Sequence, residues 1–345
     1  METGFIGKTI ILSAPNHFEL PFRIKENLEF LGFTVHLLLH KEGFSLKKQD
    51  SIKHFFNKTF KKDKTLKAKK RAEFSEQKLL FELNEISTKT DYALIIRPDL
   101  LSEKTIKKIK EKAKMTVAYQ WDGIDRFPLA KEVMPYFDRF FLFDVRDLKK
   151  YPNCLPTTNF YFDDLMDTTE VKNDVFFVGT FMKNRINEIL ELSRLFKKTN
   201  IKAEIFIKVK KLDKKYENEN LILTTDQLSF KENLIHLKES KTILDFKNDI
   251  HYGLSFRTFE SIGFKKKLIT NNSLVKSYDF YNPKNIFILE ENYSQRELIN
   301  FLKQPYQDMS PEITDKYSFT NWIKYLLSID PHQKINLHFE GEKLG

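Results

Sequence analysis

The sequence contains one cysteine, Cys154, in 345 residues. An intramolecular disulfide is therefore impossible, and a lone thiol builds no zinc cluster. Cys154 sits in Tyr151-Pro-Asn-Cys-Leu-Pro156 with no histidine near it in sequence, which reads as a filler thiol rather than a nucleophile. No apolar run approaches the ~18 residues of a membrane span. The stretch Lys8–Ala14 is too short and too poorly flanked for a secretory signal and reads as a first strand. A cytoplasmic protein is expected. Gly-x-Ser-x-Gly, His-Glu-x-x-His and Walker A patterns are all missing, which removes the common hydrolase and P-loop signatures. Internal repeats and low-complexity tracts are missing too.

Apolar residues make up 41% of the chain and aromatics 14%, with 33 phenylalanines, so real cores are expected. At this length two domains are the default. The formal charge of +10 implies an anionic partner: phosphorylated ligand, membrane surface or nucleic acid. From Lys53 to Arg71 nine basic residues face one acid, Asp63, with Phe55, Phe56 and Phe60 interleaved. Two readings stay open for this run. Lys61, Lys62, Lys69, Lys70 and Arg71 could rest on anionic lipid or an acceptor, or the run could be a solvated segment with its phenylalanines turned inward.

Short apolar runs alternate with amphipathic ones, the pattern of α/β architecture with parallel sheets. Strands are expected at Thr9–Ala14, Phe33–Leu39, Tyr92–Arg97, Met115–Gln120 and Arg139–Phe143, with Ser102 as the N-cap of a helix reaching Lys114. Periodicity stops around Leu155–Thr169, read as a linker. Strands then follow at Asp174–Val178, Ala203–Lys208, Leu221–Thr224, Lys241–Phe246, Lys267–Thr270 and Asn285–Leu289. The organisation expected is an N-terminal Rossmann-like domain over 1–165, a C-terminal Rossmann-like domain over 170–315, and a closing helix and tail over 316–345 that pack back on the first domain.

Four loops carry candidate chemistry, since ligands of such sheets bind at the carboxyl ends of strands. The segment Gly253–Thr270 places Gly253, Ser255, Arg257 and Glu260 at a helix start. The amides and dipole there favour phosphate, and a guanidinium fork adds to them. Phe256, Phe259 and Ile262 supply its apolar face. Phe176–Arg185 reads as strand, glycine turn and helix start. Gly179 is set for close backbone approach, with Lys183 and Arg185 as charge. Tyr119-Gln-Trp-Asp122 and Asp125 end a strand, and Asp122 is a candidate general base. Ser13-Ala-Pro-Asn-His17 offers His17 in the same role. For Phe143–Asp147 a structural salt bridge is expected.

These residues resemble a family. Gly253–Thr270 and Asp279–Ile286, with Tyr119–Asp122, Phe137-Asp138, Phe143-Asp144 and Phe176–Thr180, are similar to GT-B glycosyltransferases. Within these the resemblance is to bacterial lipopolysaccharide core biosynthesis proteins of the RfaS type and CgeB-like relatives. It implies two Rossmann-like domains facing each other across a cleft, an activated nucleotide sugar in the C-terminal half and a glycolipid or oligosaccharide acceptor in the N-terminal half. It further implies that Arg185 and Arg257 hold the diphosphate, that Glu260 holds donor hydroxyls, and that Gly179, Lys183, Ser255 and Phe256 complete the donor site. No bound metal is implied, in keeping with the lack of an Asp-x-Asp diphosphate–metal motif. The expected activity is sugar transfer to a bacterial surface glycan from the inner face of the cytoplasmic membrane. A capsule or other cell-wall acceptor, a nucleotide-sugar-binding module without transfer and a basic nucleic-acid-binding protein are the competing readings. The last is disfavoured because the basic run carries no recognisable binding module.

Overall fold

Runs such as Thr9-Ile-Ile-Leu-Ser-Ala14 and Asp91-Tyr-Ala-Leu-Ile-Ile96 are apolar on both faces, which suits strands covered by helices on each side. A computed structural model of the chain describes residues 3–40, 43–51, 53, 55, 65–166, 169–212, 220–247 and 252–339. These runs all become parallel strands in it. Contacts divide the chain into two compact units. Unit 1 comprises Met1–Thr158, Ile250–Gly253 and Thr320–Leu337; unit 2 comprises Asn159–Asp249, Leu254–Phe319 and His338–Gly345.

Unit 1 carries β1 (Thr9–Ala14), β2 (Thr34–Leu39), β3 (Thr90–Ile96), β4 (Ala113–Gln120), β5 (Arg139–Leu142) and β6 (Leu155–Pro156). They form one sheet in the order β2-β1-β3-β4-β5-β6, with every pairing parallel. Helices Thr65–Glu85 and Glu103–Lys112 pack on one face, where Leu79, Leu83, Ile106 and Ile109 join Ile11, Ala93, Ile95 and Ala118 in a single core. Ser102 caps the second of these helices by accepting from the Thr105 amide, as expected. The helix Phe319–Leu327 contributes Trp322, fully buried and edge-on to Tyr119 at 5.5 Å.

Unit 2 carries β7 (Asn173–Thr180), β8 (Ala203–Lys208), β9 (Leu221–Thr224), β10 (Ser240–Asp245), β11 (Lys267–Thr270) and β12 (Ile286–Ile288). Its sheet order is β12-β11-β10-β7-β8-β9, again all parallel. This is a doubly wound Rossmann order, and strand order reverses between β7 and β10. In unit 1 the reversal falls between β1 and β3.

Three expectations are corrected. The stretch Leu155–Thr169, expected as a linker, does hold the boundary between the units at Thr158 and Asn159, but it is not without structure: Leu155–Pro156 is the edge strand β6, and Phe160, Tyr161 and Phe162 are buried. Phe160 and Phe162 pack on Phe319 at 5.0 and 5.5 Å, so the aromatic trio outweighs the surrounding polar residues. The amphipathic stretch Glu73–Ser87 reads in the sequence as a helix, and in the structure that helix begins eight residues earlier, at Thr65, because the lysines preceding Arg71 are good helix formers. Gly179 lies inside β7, paired with Ile207, rather than in a turn after it. Cys154 is buried in the unit 1 core with its thiol pushed up to about 11, chiefly by burial, which fits a filler role. No helix among the described residues is long and apolar enough to cross a membrane.

Candidate functional site

The site in unit 2 is assembled at the reversal between β7 and β10. Four side chains meet there. Asp245 ends β10 and is 3% exposed. Its Oδ2 accepts from the Ser255 hydroxyl at 2.8 Å, and its Oδ1 lies 3.6 Å from Arg257 Nη1. Ser255 occupies the N-cap position of the helix Phe256–Gly263, yet its hydroxyl makes no capping bond because Asp245 takes it. Arg257 donates from Nη2 to the Val178 carbonyl of β7 at 2.5 Å. Arg185, in the loop after β7, donates from Nη2 to Thr180 O at 2.8 Å while its buried Nε has no partner. Both guanidinium groups lie over the Phe177 ring, at 5.9 Å for Arg185 and 5.6 Å for Arg257.

The electrostatics of this cluster are unbalanced. Burial and then the neighbouring Arg257 charge lower the Arg185 pKa, the mark of two like charges held close. Asp245 compensates one of them, and its own pKa is raised by burial despite both arginines. Glu260, one turn along the helix from Arg257, is 5% exposed and pushed up to about 7, by burial first and by Asp245 as well. A guanidinium charge thus remains without a full counterion. Such a cluster accepts an anion with little rearrangement.

The structure therefore brings Arg185, Ser255, Arg257 and Glu260 together. It does not bring all of the expected donor residues with them. Lys183 stands exposed in the loop after β7 and bonds to nothing among the described residues. Phe256 turns to Phe160 at 5.2 Å and serves packing. The space a Gly179 side chain would fill is already taken: a Cβ there would lie 2.7 Å from the Phe177 ring and 3.2 Å from Arg185 Nη2. This glycine accommodates the aromatic platform rather than a ligand backbone. Gly253 likewise is required by packing, since a Cβ would lie 2.5 Å from the Phe143 ring. Asp245 was missed by the sequence reading. Its signal was an acid closing an otherwise apolar strand.

Unit 1 gathers a second group at the carboxyl ends of β1, β3 and β4. Arg97 holds Asp99 through two bonds of 2.7 Å, donates also to Asp122, and stacks over Phe127 at 3.9 Å. Asp122 is thereby tied down as an ion-paired carboxylate. His17 is exposed in the loop after β1, its ring 6.1 Å from that of Trp121. Phe18, Glu19 and Arg97 all have positive φ, at 54°, 60° and 61°, a strained backbone of the kind that collects at functional loops. Asp125 pairs with Lys150 at the surface at 2.6 Å, apart from this network. Asp144 pairs with Arg146 and caps its helix, the structural salt bridge expected there. Lys61 and Lys62 lie outside the described residues. Lys69 and Lys70 are engaged by Glu132 and Glu73, at 3.3 and 2.9 Å. Among the described residues there is no group of three or more His, Cys, Asp or Glu suited to a metal ion.

No protein-family model matches the chain, and no curated protein matches it. Solved glycosyltransferase structures do resemble it. One from Rickettsia africae ESF-5 aligns with a TM-score of 0.46 and 11% identity, over 86% of this chain and 88% of that one. An alpha1,3-fucosyltransferase aligns at 0.44 and 11%, over 96% and 94%. The glycotransferase of kitacinnamycin aligns at 0.43 and 9%, over 89% and 92%. All three scores lie below 0.5, so the chemistry of the site is read from its own residues.

Proposed function

We propose that the protein is a GT-B-type glycosyltransferase that takes a sugar from a nucleoside-diphosphate donor bound in unit 2. The observation that carries this reading is the paired guanidinium cluster. Arg185 and Arg257 share one aromatic platform at the strand-order reversal, with a single buried acid between two charges and an unpartnered Arg185 Nε. A diphosphate supplies the missing negative charge in a geometry that two forks can grip. Asp245 sets the pose by holding Ser255 and Arg257, and Glu260 meets sugar hydroxyls from the next helical turn.

In the transfer, an acceptor hydroxyl oxygen attacks the anomeric carbon and the bond from that carbon to the diphosphate oxygen breaks. The diphosphate departs with the electron pair, stabilised by Arg185, Arg257 and the amides opening the helix Phe256–Gly263. The acceptor proton passes to a base of unit 1. We assign that role to His17, because Asp122 is committed to Arg97 and acts as a fixed charge. The two arginines and the helix dipole do the work a metal does elsewhere, so a metal-independent reaction is proposed. The acceptor proposed is a bacterial surface glycan, lipopolysaccharide core by the RfaS and CgeB-like resemblance, reached from the cytoplasmic face of the membrane.

Thermal-shift screening against a panel of nucleotide sugars and free nucleoside diphosphates tests the reading. A donor raises the melting temperature of the wild type and not of a folded Arg185→Ala/Arg257→Ala variant. Absence of any response in the wild type sinks it.

A further inference from the structure

The edge strand of unit 2, β12, borders a cleft that the donor site does not use. One wall is Pro283 and Lys284, which precede the strand, with Phe287 inside it. The other wall is the helix Gln295–Lys303 and the residues that follow it. The cleft thus lies at the amino end of β12, whereas the donor cluster sits at the carboxyl ends of β7 and β10. Its volume is about 500 Å³, an ordinary size for a ligand site. Phe287 and Phe301, with ring centroids 5.5 Å apart, line it together with Pro283 and Pro305.

The walls are fixed from behind. Asn285, 1% exposed, clasps the backbone of Gln307: its Oδ1 accepts from the Gln307 amide at 2.8 Å and its Nδ2 donates to the Gln307 carbonyl at 2.7 Å. Lys267 of β11, 2% exposed, donates to the Phe301 carbonyl and, at 2.8 Å, to that of Gln304. Both buried groups bond to backbone and leave the side chains of the cleft alone. Lys284, Glu297, Asn300 and Gln304 also line it, all four exposed. Their side-chain groups make no hydrogen bond or ion pair among the described residues.

The character of this lining selects the ligand. One ammonium, Lys284, and one carboxylate, Glu297, give no net charge, so a phosphate finds no excess of positive charge there. A wholly apolar ligand would bury the amides of Asn300 and Gln304 without partners. Each amide offers both donors and an acceptor, and four positions apart the two stand side by side. Sugar hydroxyls likewise donate and accept, while the C–H face of a sugar ring is apolar and packs on aromatic surface.

We propose that this cleft is a carbohydrate-binding site, separate from the donor site, that holds an uncharged oligosaccharide. Phe287 takes the apolar face of a ring, and Glu297, Asn300 and Gln304 take its hydroxyls. From Glu297 to Gln304 the chain advances about 10 Å along the helix, room for more than one sugar residue. The site goes beyond the transfer reading and does not depend on it.

Titration calorimetry of the full chain with maltotetraose, cellotetraose and chitotetraose tests the site without turnover. At least one of them should bind the wild type and the Arg185→Ala/Arg257→Ala variant equally. Asn300→Ala/Gln304→Ala should weaken that binding at least about fivefold, the least expected for two lost hydrogen bonds. Both positions are exposed, so this variant should keep the wild-type melting temperature. Phe287→Leu, which keeps apolar bulk without the flat ring, should weaken binding as well. Failure of all three sugars to bind the wild type overturns the site, and so does unchanged affinity in Asn300→Ala/Gln304→Ala. Loss of binding in the Arg185→Ala/Arg257→Ala variant would put the sugar in the donor site and overturn it too. Prolines beside aromatic rings also suit proline-rich peptides, so binding of decaproline and of none of the sugars overturns the carbohydrate assignment. A wild type that binds oligosaccharide here but no nucleotide sugar refutes the donor reading and leaves this site standing.

Discussion

Replacing Glu260 by glutamine should make the protein more stable, and increasingly so as pH rises. Glu260 is 5% exposed and sits near Asp245, so its carboxyl is pushed from the ordinary 4.5 to about 7, burial being the larger cause and Arg257 only partly offsetting it. A carboxyl whose pKa is higher in the folded state binds its proton more tightly there. The stability this gives is fully present below about pH 4.5 and is lost as pH rises through about 7. The gap between these values is worth about 3 kcal/mol at 1.36 kcal/mol for each factor of ten. Glutamine imitates the neutral acid at every pH. Glu260→Gln should therefore match the wild type near pH 4.5 and exceed it by about 3 kcal/mol at pH 8. For a unit of this size that is a difference of about 6–12 °C in melting temperature. Urea or thermal unfolding of both proteins from pH 4.5 to 8 reads the difference directly, and titrations shared by the two proteins cancel. A difference that does not vary with pH, or a wild type that is the more stable at pH 8, refutes the reasoning.

Other consequences follow from the same cluster and from the cores. A diphosphate beside Glu260 raises its proton affinity further, so nucleoside-diphosphate binding at pH 7 should take up protons. Calorimetry in two buffers of different ionisation enthalpy measures this, and equal heats would contradict it. Arg257→Ala should weaken that binding about 10–150-fold, the equivalent of one charged hydrogen bond at about 1.5–3 kcal/mol, as read by direct titration. Gly179→Ala should cost about 1–3 kcal/mol by pushing on Phe177 and Arg185, and should weaken donor binding with it; unaltered unfolding and affinity would show the site is looser than the contact distances require. Cys154 should resist alkylation in the native protein at pH 8, since its thiol is buried and held to about 11, and react fully once unfolded.

How far the sequence reading reached depended on the range of the signal. Strand runs such as Thr9–Ala14 and Leu268–Thr270 were legible because a central parallel strand must be apolar on both faces, a local pattern. The Ser102 cap was legible for the same reason, and its hydroxyl accepts from the Thr105 amide three residues on. The burial of Phe160 and Phe162 within the linker was not legible, because it comes from Phe319 and Phe256, far away in the chain. Glu260 and Arg257 could be named from their spacing on one helix.

The sequence by itself determined that the chain is α/β with successive parallel-strand series, that no disulfide joins its parts, and that positive charge stands at the ends of β7 and β10. These are properties of composition and short-range periodicity. Only the tertiary structure decided which of the charges matter. It set Asp245 beneath Ser255 and Arg257, gave the Gly179 space to Phe177 and tied Asp122 to Arg97. The Arg97–Asp122 pair and the bond from Arg257 to the Val178 carbonyl join the ends of different strands, and sheet order, which no local pattern encodes, determines which ends become neighbours.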